Sequence, residues 1–114
     1  MKISKSYAEH YKWGDECCGW HLVKSPDLSI IEELMPSGTV EKRHYHQKAQ
    51  QFFRILSGKA TFEIDGETVV VDEGNGIHIP PKSVHRIRND ENVDLIFLVI
   101  SQPTTRGDRF DLEE

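Results

Sequence analysis

Residues 38–58 read GTVEKRHYHQKAQQFFRILSG, and the fold turns on how this stretch is read. His44 and His46 stand two apart, a spacing that in a strand puts both imidazoles on one face, roughly 6 to 7 Å apart along the chain. Two such rings can meet one ion. Gln51 opens the run Gln51, Phe53, Ile55, whose odd-numbered members share the inward face and leave Phe52 and Leu56 pointing outward. A third imidazole, His85, follows the Pro80–Pro81 turn and begins another strand. A lone histidine on an apolar face is usually a core residue with its hydrogen bonds satisfied, and even a paired HxH is weak by itself. The spacing of the whole set is what changes the odds.

Outward from this stretch the chain reads as short β-type runs broken by turn residues, the pattern of a sandwich or barrel. Within Ala60–Val71, Phe62 and Ile64 alternate with polar neighbours, and Asp65–Gly66 supplies a type I′ turn before Val69–Val71 return. A turn at Ser57–Gly58 joins this hairpin to the run Gln51–Leu56, giving a three-stranded meander. Further runs are Leu28–Leu34, Gly76–Ile79, His85–Arg88 and Leu95–Ser101. Leu95–Ile100 is apolar on both faces, so its outer face needs a cover: a second sheet, the N-terminal arm or a second subunit. Phe52 and Leu56 on the same side favour a homodimer. With 114 residues the chain fits one domain over 1–114, and the expected core runs from about 19 to 102. An N-terminal arm over 1–18 and a charged tail over 104–114 are expected outside it.

A net charge of −5 argues against nucleic acid as partner, because phosphate binding draws on clustered Lys and Arg. Arg86 and Arg88 flank Ile87 at strand spacing and read as a solvated face, and the tripeptide Arg106–Gly107–Asp108 reads as an accidental match to an adhesion motif. Cys17 and Cys18 are adjacent, which would strain any disulfide between them, so they read as two thiols without a framework role. No apolar stretch of signal-peptide type opens the sequence and no run approaches a membrane span, so a cytoplasmic protein away from membranes is expected.

Gly38, His44, His46, Gln51 and Gly58 stand at the spacing of the first motif of the cupin superfamily, which usually has Glu where this chain has Gln51. Gly74, Pro80, His85 and Asn89 resemble the second motif, with Lys82 where the family often has Gly. The segments AQQFFRILSG, GIHIPPKSVHRIRN and ISQPTTRGDR are similar to small stand-alone bacterial cupins often labelled mannose-6-phosphate isomerase-like. The resemblance implies an all-β, single-domain jelly-roll (double-stranded β-helix) barrel of six to eight strands. It also implies one interior metal held by three histidines and a carboxylate: here His44, His46 and His85, with Gln51 in the carboxylate position.

An amide in place of a carboxylate keeps an oxygen donor but removes one negative charge, so metal retention should fall while the ion becomes a stronger Lewis acid. Three imidazoles and an amide suit Zn, Ni, Co, Fe or Mn alike, and the opposing possibility is a barrel that has lost its metal at Gln51. A divalent ion with three or four protein ligands keeps positions open for a small-molecule ligand. His78, two residues before Pro80, is a candidate acid/base in the same cavity, since no independent carboxylate base is evident near the motifs. Phe53, Ile55, Phe62 and Phe97 are expected to form an apolar wall; Trp20 and Tyr45 are candidates for stacking on a ligand, with packing as the default. The leading expectation is a metal-dependent enzyme, such as an isomerase or lyase, acting on a sugar, sugar acid or keto/enol compound. The alternatives are a non-catalytic binder of carbohydrate or another small ligand, and an iron-dependent dioxygenase.

Overall fold

A computed structural model describes residues 1–112; Glu113 and Glu114, the end of the expected tail, lie outside the described residues. Among the described residues eleven strands follow one 3-10 turn at Lys5–Tyr7: β1 (Glu9–Trp13), β2 (Cys17–Lys24), β3 (Ser29–Met35), β4 (His44–Tyr45), β5 (Gln50–Ser57), β6 (Lys59–Ile64), β7 (Glu67–Asp72), β8 (Gly76–Ile79), β9 (His85–Arg88), β10 (Leu95–Gln102) and β11 (Phe110–Asp111). A larger sheet runs β1-β2-β3-β10-β5-β8 and a smaller one β11-β4-β9-β6-β7, with antiparallel pairing throughout. The two face each other as a jelly roll.

Strand parity does most of the positioning. In the larger sheet Ile31, Val99, Phe53 and Ile77 are successive register partners on the inner face, and the next row holds Glu33, Phe97 and Ile55. Buried residues alternate along β5 and β10, so Gln51, Phe53 and Ile55 point inward as expected while Phe52 and Leu56 remain exposed. Ala60, Phe62 and Ile87 of the smaller sheet meet Met35, Ile55, Leu95 and Phe97 in a core sealed at one end of the barrel. Phe53 lies edge-on to Phe62 at 5.1 Å between ring centroids, marking the boundary between this core and the open end.

The hairpin turn falls where expected: Asp65 and Gly66 both have positive φ, 48° and 87°, as a type I′ turn requires. Asp65 exchanges two hydrogen bonds with Val84, its N–H donating to the Val84 carbonyl at 2.8 Å and its Oδ1 accepting from the Val84 N–H at 2.9 Å. That pair fixes the turn from which β9 and His85 depart.

Both expected arms need correction. Residues 9–13 and 17–24 form a hairpin on the edge of the larger sheet, and Cys17 is fully buried in the core. The period-two alternation is present but short: Tyr11 and Trp13 turn inward while His10 and Lys12 face solvent. At the other end Phe110–Asp111 pairs with β4, so this part of the expected tail belongs to the smaller sheet. Residues 1–8 precede the first strand, with the Lys5 ammonium 4.2 Å from the Trp20 ring centroid on the outer face. Cys17 and Cys18 carry free thiols.

Gly19 sits opposite Tyr11 on one side and Glu33 on the other. A Cβ built there would lie 2.2 Å from Tyr11 Cζ, because the phenol crosses directly over the glycine to reach the Glu33 carboxylate. Gly19→Ala should therefore cost about 1–3 kcal/mol by overpacking, measured by urea unfolding, and most of the penalty should vanish in a Tyr11→Ala background. An undiminished penalty in the double variant would place the strain elsewhere.

Candidate metal centre

His44 on β4 and His85 on β9 are direct register partners, so both imidazoles leave the smaller sheet on its inner face. His46 follows just beyond β4, and Gln51 reaches across from β5 of the larger sheet. The ring centroids of His44 lie 4.9 Å from His46 and 4.4 Å from His85, with 5.6 Å between His46 and His85. One nitrogen from each ring lies within 4.8 Å of the others, and all three side chains are buried. The structure thus brings together His44, His46, His85 and Gln51, four side chains drawn from both sheets.

Each ring is oriented from behind by a backbone carbonyl. His44 Nδ1 meets the Lys42 carbonyl at 2.8 Å, His46 Nδ1 that of Asp108 at 2.8 Å, and His85 Nδ1 that of Ser83 at 2.9 Å. A carbonyl oxygen only accepts, so each Nδ1 carries the proton and each Nε2 presents a lone pair to the interior. Gln51 is oriented in the same way: its Nε2 donates to Ser101 Oγ at 3.0 Å, which turns Oε1 toward His85 Nε2 at 3.1 Å. His46 Nε2 is buried with no hydrogen-bond partner among the described residues. Three lone pairs and an amide oxygen therefore converge with no donor among them, the donor set of a cation site.

Burial keeps the rings neutral. It pushes His44 down to about 3, with Arg109 adding to the effect, and His85 down to about 4; His46 is lowered for the same reason. The second motif is tied to the first by Lys82, whose N–H donates to the His46 carbonyl at 2.7 Å. Lys82 has φ of 74°, a left-handed conformation that explains why glycine suits this position in the family.

Asp108 organises the loop between the histidines and Gln51. Its carboxylate accepts three backbone N–H bonds, from Gln47 at 3.0 Å, Lys48 at 3.0 Å and Ala49 at 2.9 Å. Burial alone would raise this carboxyl, but the three donors hold it below the usual carboxylate range. The tripeptide at 106–108, read as accidental, thus contributes a structural anchor.

His44, His46 and Gln51 open onto a cavity of about 580 Å³, walled by Tyr11, Trp13, Glu33, Glu41 and Arg109 among others. Here two carboxylates appear that strand reading did not reveal. Glu33 accepts from Tyr11 Oη at 2.5 Å, and burial pushes its carboxyl up to about 7 against the lowering effects of Tyr11 and Arg109. Glu41 accepts the Ile87 N–H at 3.1 Å and lies 4.0 Å from His44 Nδ1; burial pushes it up to about 8, Arg109 opposing. The Tyr11 phenol is held above its ordinary range by burial and by Glu33 beside it.

Other candidates fall away from the cavity. His78 is exposed on the outer face, its Nε2 2.9 Å from Gln50 Oε1, because it pairs in register with outward-facing Phe52. Trp20 packs against His10 on the outside, and Tyr45 stacks on Phe110. Of the expected apolar wall, Phe53 lines the cavity, whereas Ile55, Phe62 and Phe97 belong to the sealed core.

The model of the cupin domain family matches residues 30–101, most of the chain, and the protein belongs to that family. An uncharacterized protein of Methanocaldococcus jannaschii, MJ1618, is 34% identical over 83 residues, covering 73% of this chain and 66% of that protein. Among solved structures, a predicted oxalate decarboxylase from Thermotoga maritima superposes with a TM-score of 0.83 at 21% identity, covering 91% of this chain and all of the other. A cupin sugar phosphate isomerase from Silicibacter pomeroyi gives 0.80 at 18%, covering 91% and 76%. At these identities the two structures share the fold. The chain spans 66% of the length of this relative, and 39% and 43% of two other curated relatives that it matches.

Asp108→Ala should lower stability by on the order of 2–4 kcal/mol in urea unfolding and loosen the His46 loop, with Asp108→Asn intermediate because one acceptor oxygen remains. Near-parental stability in both variants would show that the three N–H bonds contribute little.

Proposed function

We propose that this protein is an enzyme that uses one divalent metal ion, held by His44, His46, His85 and Gln51, to act on a small sugar, sugar acid or keto/enol compound. The observation that carries this reading is the donor-free convergence of three Nε2 lone pairs and Gln51 Oε1 beside a cavity that His44, His46 and Gln51 line and whose wall holds protonatable carboxylates. A bound cation of this kind supplies Lewis-acid polarisation of a carbonyl or hydroxyl oxygen.

The remaining work falls to the chain's own groups. Glu33, poised near neutrality, takes a proton from a carbon or hydroxyl of the ligand and returns it, and Tyr11 steadies the carboxylate by donating to Oε2. Glu41 sits between His44 and Arg109, whose Nη1 lies 3.8 Å from Glu41 Oε2, and shapes the charge of the opposite wall. Phe53, Val99 and Ile31 exclude water on the apolar side. The outer face of the larger sheet, where Phe52 and Leu56 stay exposed beside half-buried Ile96, Leu98 and Ile100, is proposed as a homodimer contact. A monomeric species in sedimentation at micromolar concentration would count against that contact.

Elemental analysis of protein purified without a polyhistidine tag should find about one divalent ion per chain, and His44→Ala should lose it. Gln51→Glu should retain the ion longer against a chelator, because the added charge offsets that of the cation. No metal in the parent, or equal retention in Gln51→Glu, would contradict the ligand assignment.

Catalysis is read by solvent exchange: metal-loaded protein incubated in D₂O with a panel of aldoses, ketoses and 2-keto acids, followed by proton NMR. Deuterium should enter the carbon next to a carbonyl of at least one compound. As a base Glu33 acts only when ionised, so the rate should rise with pH through about 7 and level off above it. Glu33→Gln should abolish that limb and slow exchange roughly 10²- to 10⁴-fold with metal content unchanged. Absence of exchange across the panel, with tight binding of one member, would favour the binding-module reading.

A further inference from the structure

Beside the metal cavity lies a second pocket of about 460 Å³, formed where the loop at 104–106 docks on the turn between β2 and β3. The Thr104 N–H donates to the Pro26 carbonyl at 3.0 Å, and Ser25 closes the turn through three hydrogen bonds with Leu28. The two pockets share Ile31 and Thr105 as lining residues, so they are neighbours along one wall.

The lining of this second pocket is unusual for a chain of net charge −5. It gathers Lys24, Arg106, His21 and the hydroxyls of Ser29, Thr104 and Thr105, and its lining includes no carboxylate. Among the described residues the Arg106 guanidinium makes no hydrogen bond or ion pair, although Glu9 acts on it at longer range. His21 faces inward opposite Ile31, its ring 5.0 Å from Tyr11, and its Nδ1 is buried with no hydrogen-bond partner among the described residues. Lys24 is held by Glu9 at 3.0 and 3.1 Å outside the pocket, so the site's uncompensated charge rests on Arg106. A guanidinium, an imidazole nitrogen and three hydroxyls around one concavity offer donors from several directions, which suits a tetrahedral oxyanion better than a planar or neutral group.

We propose that this pocket binds the phosphate group of a phosphate monoester whose sugar or keto end reaches the metal cavity past Ile31 and Thr105. The anion-binding half stands on the pocket's own residues. The bridging half rests on the metal-dependent reading above and narrows its substrate class to phosphorylated compounds.

The halves separate in one set of titrations followed by amide NMR. Inorganic phosphate added to metal-free protein should shift amides at 24–29 and 104–106 saturably. Arg106→Ala should weaken that binding about tenfold, since one charge-assisted contact is lost. Glu9→Gln should strengthen it severalfold by freeing Lys24. No saturable shift at these amides, or unchanged affinity in Arg106→Ala, would overturn the site, and an equal response at scattered surface amides would mark phosphate as an adventitious ion only. Ribose 5-phosphate should bind metal-loaded protein at least tenfold more tightly than ribose or inorganic phosphate does, and His85→Ala should erase that gain while leaving inorganic phosphate binding intact. If ribose 5-phosphate gains nothing from metal while inorganic phosphate still binds, the bridging half is overturned and the pocket is a separate anion site.

Discussion

Three imidazoles held neutral, with their lone pairs turned inward by backbone carbonyls, are the constraint on which the rest of this structure depends. A buried acceptor without a donor costs about 1–3 kcal/mol, and here His46 Nε2 has no partner while His85 Nε2 faces another acceptor, Gln51 Oε1. A protein does not assemble such a group for stability alone. One bound cation would turn these mutually unfavourable acceptors into a ligand set, and the burial that suppresses protonation of His44 and His85 would keep them available for it.

Holding that arrangement draws on distant parts of the chain. Asp108 grips the backbone at 47–49 and, through its own carbonyl, the His46 ring; Ser101 turns the Gln51 amide; Asp65 pins the turn before His85. These supports come from the C-terminal segment, β10 and the β6–β7 hairpin turn, so the site closes only when both sheets have paired. The opposite wall is built by β1 and β2, where Gly19 leaves the space that lets Tyr11 lie over to Glu33.

What could be read in the sequence was local or of fixed spacing. The HxH pair, Gln51 and His85 stand at intervals that resemble a known family, and the Asp65–Gly66 turn and the parity of Gln51, Phe53 and Ile55 follow from period-two alternation. Legibility ended where register decides. His78 faces outward because it pairs with Phe52, and that pairing across 26 residues leaves no local trace. Glu33 carries no local mark of its position, and its pairing with Gly19 and Phe97 is what places it inside. Tyr11 and Asp108 lay in segments too polar to be recognised as strand and anchor, since each acts through partners far along the chain.

Anomalous diffraction from crystals of the untagged protein grown with cobalt(II) would bear most directly on the centre. The account predicts one strong peak inside the barrel, about 2.0–2.2 Å from Nε2 of His44, His46 and His85, with Gln51 Oε1 as the fourth protein ligand. A peak bound elsewhere, coordination through Nδ1, or a barrel interior without metal while the three rings keep their present orientation would contradict it.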